Sequence, residues 1–209
     1  MHLGPGQRTI FSPALQPSSL PLLIYPGLTS CSILMAAGLS PSSASASVHF
    51  AELGTTALSG VAHHRFGNVD MNVAGTLAPA GAVGAFIGAT LLSSLSTEIA
   101  RPLASSLLLL LGLFVFGRFA LASEAEGSKR RGRPCARLLA SLGLIGGFVD
   151  ATGGGGWGPV TTPALLANGR LSPSKVIGAV SAAEFVVTAA ASAGFASSLG
   201  GERRCEFEP

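Results

Sequence analysis

Gly153-Gly154-Gly155-Gly156, followed by Trp157-Gly158-Pro159 and Thr161-Thr162, is the stretch of this chain best suited to binding chemistry. Glycine lets backbone N–H groups approach a ligand closely. A helix opening at Pro159 would present roughly half a positive charge at its N-terminus. Donors of this kind suit an anion, and the hydroxyls of Thr161 and Thr162 in the first turn would add to them. No Lys-Ser/Thr pair follows the glycines, so they do not make a phosphate loop. Gly153, Gly154, Gly155, Gly156, Trp157, Thr161 and Thr162 are therefore candidate substrate-binding residues. The alternative is that the glycines only permit tight helix crossing, with Trp157 walling a cavity or anchoring the tip of the break.

Three acidic residues are candidates for coupling. Glu52 and Glu184 each lie about eleven residues into an apolar segment, which at about 1.5 Å per residue is close to mid-bilayer. Carboxyl groups at that depth point to proton relays, with a structural hydrogen bond to a neighbouring hydroxyl as the alternative. Asp150, beside the glycine break, is placed to bind a proton or to cap Gly153 and its neighbours. His49 is one turn from Glu52 and could pair with it, whereas His63 and His64 fall in a polar turn. Cys31, Cys135 and Cys205 form neither a disulfide framework nor a metal spacing, so no cofactor and no metal is implied. Gly-x-Ser-x-Gly and His-Glu-x-x-His motifs are missing from the sequence, which argues against an enzyme.

The elements that must hold these residues read as membrane spans. Charged residues are 11% of the 209, against about 25% in soluble domains, and the mean hydropathy is +0.54. Span-like stretches fall at Leu20–Ala37, Ser42–Ala62, Met71–Ser94, Ile99–Ala122, Leu138–Ala151 and Ser174–Leu199, with a shorter one at Val160–Ala167. The expected fold is an all-α, polytopic helix bundle with a glycine-broken re-entrant helix. Unpaired backbone at membrane depth survives only inside protein or beside a water-filled cavity, and discontinuous helices build substrate sites in secondary transporters. A structural or assembly protein without a substrate would have no need of such a break. Gly84 and Gly88, four apart beside Ala85 and Ala89, predict close helix contact in lipid.

The chain divides at a basic loop, Lys129, Arg130, Arg131, Arg133 and Arg137, whose charges mark the cytoplasmic side. No aromatic residues interleave with these charges, which argues against nucleic acid. Leu39-Ser40-Pro41-Ser42 recurs as Leu171-Ser172-Pro173-Ser174, an offset of 132. The same offset matches Glu52 to Glu184 and Thr56 to Thr188. With basic residues kept inside, the segment 138–167 dips in and returns, and the two repeats run in opposite directions; the alternative, a full crossing, would put Arg170 and Lys175 outside, against the charge bias. The expected divisions are a non-native-looking N-terminus (1–19), a first repeat (20–122), the basic loop (123–137), a second repeat (138–199) and a charged tail (200–209).

Gly147-Phe148-Val149-Asp150-Ala151-Thr152, the glycines, Trp157-Gly158-Pro159 and Thr162-Pro163 together resemble the second-repeat signature of the sulfite exporter TauE/SafE family. Gly67-Asn68-Val69-Asp70, after His63 and Arg65, resembles the loop that follows the first repeat's helix. The resemblance covers about residues 34–199. It implies a multipass inner-membrane transporter of two related halves, exporting sulfite, an organosulfonate or a related small anion. The implied partners are that anion and the lipid bilayer, with a homo-oligomer left open. The first repeat departs from the family: its own glycine-rich break belongs just before Leu34, and the stretch Leu20–Gly27 has a single glycine. Both ends therefore read as truncated or frame-shifted, with an inactive transporter fragment as the alternative outcome.

Overall fold

The computed structural model describes residues 26–120, 134–155 and 157–205. Among these, the chain forms seven helices and no strand: α1 (Pro26–Ala36), α2 (Pro41–Arg65), α3 (Met71–Ser94), α4 (Thr97–Ala120), α5 (Ala136–Gly153), α6 (Trp157–Asn168) and α7 (Pro173–Cys205). The fold is the expected all-α bundle. Three helices are long and apolar enough to cross a membrane: Met71–Ser94, Thr97–Gly117 and Pro173–Ser198. The helix α2, expected as a further span, does not reach that hydropathy, because serines, His49, Glu52 and a basic last turn dilute it.

Local sequence sets the helix ends. Ser40 caps α2, its hydroxyl accepting from the Ser43 N–H, and Pro41 occupies the start, where a missing N–H costs nothing. The Asp70 carboxylate caps α3 by accepting from the N–H groups of Asn72 and Val73. At the C-terminus of α5 the chain turns left-handed at Gly154 (φ 69°), a conformation that glycine adopts without a Cβ penalty.

Several boundaries differ from those read in the sequence. The helix α2 continues through Arg65, which puts His63 and His64 in its last turn rather than in the loop. The first of the four glycines, Gly153, still belongs to α5, so the break is shorter than the glycine run. The helix α6 opens at Trp157, two residues before Pro159. The helix α7 runs on through Gly200 to Cys205, across the expected tail boundary. Of the expected first span, only residues 26–37 are described, of which Pro26–Ala36 form α1. Lys129, Arg130, Arg131 and Arg133 of the basic loop, and Gly156 of the break, lie outside the described residues.

The helix α3 lies between α5 and α7 and forms the centre of the bundle. It meets α5 backbone to backbone. A Cβ on Gly84 would fall on the Leu144 carbonyl and one on Gly88 would lie 2.8 Å from the Phe148 carbonyl oxygen. In return, a Cβ on Gly143 would sit 2.6 Å from the Leu77 carbonyl oxygen, and Gly147 lies directly on Gly81. The close contact expected for Gly84 and Gly88 is therefore made, with glycines contributed by both helices. The other side of α3 buries Leu77, Leu92 and Val73 with Val176, Val187 and Phe195 of α7 in one apolar core. The helix α4 sits at the edge and turns Leu109, Leu110, Leu113, Phe114 and Phe116 outward, a face suited to lipid. Two basic side chains tie loops to the bundle: Lys175 Nζ donates to the Gly67 carbonyl at 2.7 Å, and the Arg101 guanidinium donates to the Gly38 carbonyl at 3.1 Å.

Candidate functional site

The helices α2 and α7 carry the matched glutamates and pack along each other. Gly60 of α2 faces Ala182 of α7, whereas the His49 ring stacks on Phe195. Rising residue numbers on one helix thus meet falling numbers on the other, so the two run antiparallel. A shift of 132 residues, which superposes Pro41 on Pro173, also carries Pro26–Ala36 onto 158–168, within α6. The short helix α1 therefore stands before α2 as α6 stands before α7.

A cavity of about 290 Å3 opens among these four helices. Glu52 enters it from α2 and Glu184 from α7, so the two carboxyl groups share one space. Gly155 of the break and Thr162 of α6 line it too, together with Gly158 and Pro159 in the first turn of α6. The first turn of α6 consequently faces the cavity at Gly158, Pro159 and Thr162, with the positive end of the helix beside it. Gly27, at the start of α1, closes the opposite wall. A Cβ there would lie 2.6 Å from Glu52 Oε1 and 2.9 Å from the Gly155 Cα, so the two backbones touch. Gly155 is at φ 137° and has no room for a side chain against Gly27 and Leu28.

The remaining candidate residues hold the break in place. The Asp150 carboxylate is 3% exposed, and its Oδ1 accepts the Trp157 N–H at 3.0 Å, capping α6 rather than Gly153. The Asp150 carbonyl accepts the Gly154 N–H at 2.7 Å and the Gly155 N–H at 3.3 Å. Trp157 is buried against Gly81 and Gly146, and its indole N–H donates to the Val180 carbonyl at 3.2 Å. It anchors the break to α7 and is not among the residues that line the cavity. The Thr161 hydroxyl donates to the Trp157 carbonyl at 2.6 Å within α6, and its methyl faces Gly146 of α5. Gly153 and Gly154 pack on Leu107 and Cys31, respectively. Of the sequence candidates, the cavity thus gathers Gly155, Thr162, Glu52 and Glu184.

Beside Gly158, which belongs to the glycine stretch, and Thr56, noted only as a repeat match, it gathers residues that sequence reasoning passed over: Gly27, Thr55 and Ser59 on one side and Ser181 on the other. A signal for the α2 residues was present. Glu52, Thr55, Thr56 and Ser59 recur at three- and four-residue spacing and so share one helix face. Both threonine hydroxyls donate to the Glu52 carbonyl, at 3.0 and 2.7 Å, leaving oxygen lone pairs toward the cavity. No group of three or more His, Cys, Asp or Glu side chains among the described residues could hold a metal ion.

A bundle with apolar outward faces, three helices able to cross a bilayer and a glycine break beside a polar cavity is a multi-pass membrane protein. The chain belongs to the sulfite exporter TauE/SafE family, whose model matches residues 19–202. It is 50% identical over 176 residues to the "Probable membrane transporter protein YtnM" of Bacillus subtilis (strain 168), a match that covers 84% of this chain. The chain spans 59% of the length of that relative. No solved structure matches it.

Proposed function

We propose that this chain acts in membrane transport of a small sulfur-containing anion, such as sulfite or an organosulfonate, across the cytoplasmic membrane. The observation that carries the reading is the meeting of the first turn of α6 with two carboxyl groups in a cavity of about 290 Å3. Backbone N–H groups at Gly158 and the hydroxyl of Thr162 receive the anion, and the positive end of α6 offsets its charge. The family and the relative's name support transport. Glu52 and Glu184 would repel an anion when both are ionised, so a proton in the cavity and the anion favour each other's binding. This coupling makes the glutamates proton carriers rather than anion ligands. The antiparallel course of α2 and α7, and the correspondence of α1 with α6, support two inverted repeats with the site between them.

The test is sulfite efflux from loaded vesicles. Valine at Gly154 or Gly155 is a poor probe, because a Cβ there strikes Cys31 or Leu28 and would disturb the fold itself. Thr162→Val is better, since it removes one hydroxyl at nearly constant shape. A lost hydrogen bond to a charged ligand costs about 1.5–3 kcal/mol, roughly a 10- to 100-fold weakening. Sulfite affinity should fall in that range with unchanged protein in the membrane fraction. Unaltered affinity would remove Thr162 from the site, and wild-type vesicles that move no sulfite would sink the substrate assignment.

A further inference from the structure

His49 is fully buried, and neither the break nor the cavity wall accounts for it. Its Nε2 lies 3.3 Å from the Asp150 carbonyl oxygen. A carbonyl only accepts, so this bond places the hydrogen on Nε2 and leaves a bare lone pair on Nδ1 of the neutral ring. Nδ1 has no hydrogen-bond partner among the described residues. It faces Glu52 Oε2 at 3.7 Å, within reach of a small rotation of a carboxyl group that is 21% exposed to the cavity. Stacking on Phe195, with centroids 6.1 Å apart, holds the ring in this orientation.

The other end of His49 touches the break. The Asp150 carbonyl that receives Nε2 also receives the N–H groups of Gly154 and Gly155. Three donors thus converge on one oxygen with two lone pairs. The side chain of the same residue holds the first N–H of α6. The groups around His49 are Glu52 on its own helix and Asp150 on α5. The helix α1 contributes Cys31, which lies against Gly154, and α7 contributes the apolar Phe195, with Glu184 further along in the cavity.

We propose that His49 takes the coupling proton from Glu52 and passes its effect to the glycine break. The Glu52 O–H bond breaks and an Nδ1–H bond forms, leaving a carboxylate beside an imidazolium. Glu52 is the ring's route to water, so the proton returns the same way when the anion leaves. The imidazolium is a stronger Nε2–H donor than the neutral ring. It therefore competes harder for the Asp150 carbonyl and loosens the bonds from Gly154 and Gly155. Protonation in the cavity in this way alters the backbone at the mouth of α6. The inference rests on the transport reading above for its purpose, but not for its test.

The test uses the full 209-residue chain in nanodiscs. Amide hydrogen exchange over residues 150–157 is followed from about pH 5 to 8, after correction for intrinsic rates. In the wild type, protection of Gly154 and Gly155 should fall several-fold toward the acid end. His49→Gln keeps a side-chain N–H for the Asp150 carbonyl but takes up no proton, and its protection should be flat with pH. His49→Phe keeps the stack on Phe195 but loses both roles, and its protection should be flat at a different level. The same acid loosening in His49→Gln as in the wild type would overturn the proposal. In sulfite-loaded vesicles, His49→Gln should keep sulfite–sulfite exchange and lose proton-driven net flux. Proton-driven flux at the wild-type ratio would overturn it as well. Vesicles of wild-type protein that move no sulfite would refute the transport reading alone, while the exchange measurement still decides the role of His49.

Discussion

At the residue scale the two glutamates divide from the glycines in what they can do. Gln in place of Glu52 or Glu184 keeps hydrogen bonding and shape but cannot ionise. Each variant should reach the membrane at wild-type levels and lose proton-driven sulfite flux. Intact coupling in both would leave the carboxyl groups a purely structural role. Glu52 and Glu184 stood out in the sequence because an acid inside an apolar helix is costly unless it is used. Thr162 stood out because it follows a glycine break. Thr161 stood out for the same reason, yet its hydroxyl is bonded within α6, because a first-turn threonine also finds a carbonyl four residues back. Its methyl lies against Gly146 of α5, a contact that no local pattern reports. Gly27 escaped notice because its importance lies in what it touches, Gly155 and Glu52, more than a hundred positions away in Gly155's case.

At the element scale the apolar runs and caps were legible, and the partners were not. Met71–Ser94 was readable to the residue, since no charge interrupts it. The helix α2 is of mixed composition and owes its place to α7 rather than to lipid alone. The start of α6 was misplaced by two residues because Pro159 looks like a first helical residue. The Asp150 carboxylate overrides it by capping Trp157. The contact of α3 with α5 supplies a sharp test. Gly84→Val would drive a side chain into the Leu144 carbonyl, an obstacle that is backbone and cannot step aside. The cost should be at least about 1–3 kcal/mol, seen as a lower unfolding temperature in detergent. Gly75→Ala on the same helix meets nothing within 4 Å and should raise stability by about 0.5–1 kcal/mol, the gain of alanine over glycine inside a helix. Equal effects of the two would mean that α3 and α5 do not touch as described.

At the scale of the whole molecule, orientation follows from charge. By the charge rule, the basic residues near 129–137 predict a cytoplasmic position for that loop. Cys135 is exposed beside it and Cys31 is buried, so a Cys205→Ser background leaves one reactive thiol to follow. A membrane-impermeant maleimide should label Cys135 in inside-out vesicles and not in intact cells. Labelling from outside would reverse the orientation and the inverted-repeat argument with it. The glycine seam between α3 and α5 has an electrical consequence too. Where the backbones meet at Gly84, Gly88, Gly143 and Gly147, no side chain stands between them, so these contacts offer a proton no stepping stone. The seam insulates. A membrane protein that moves one ion must keep others from slipping past it. The glycines of α3 and α5 close one flank of the bundle, and on the proposed transport reading a proton path is left to the other, between α2 and α7, where Glu52, Thr56 and Glu184 stand.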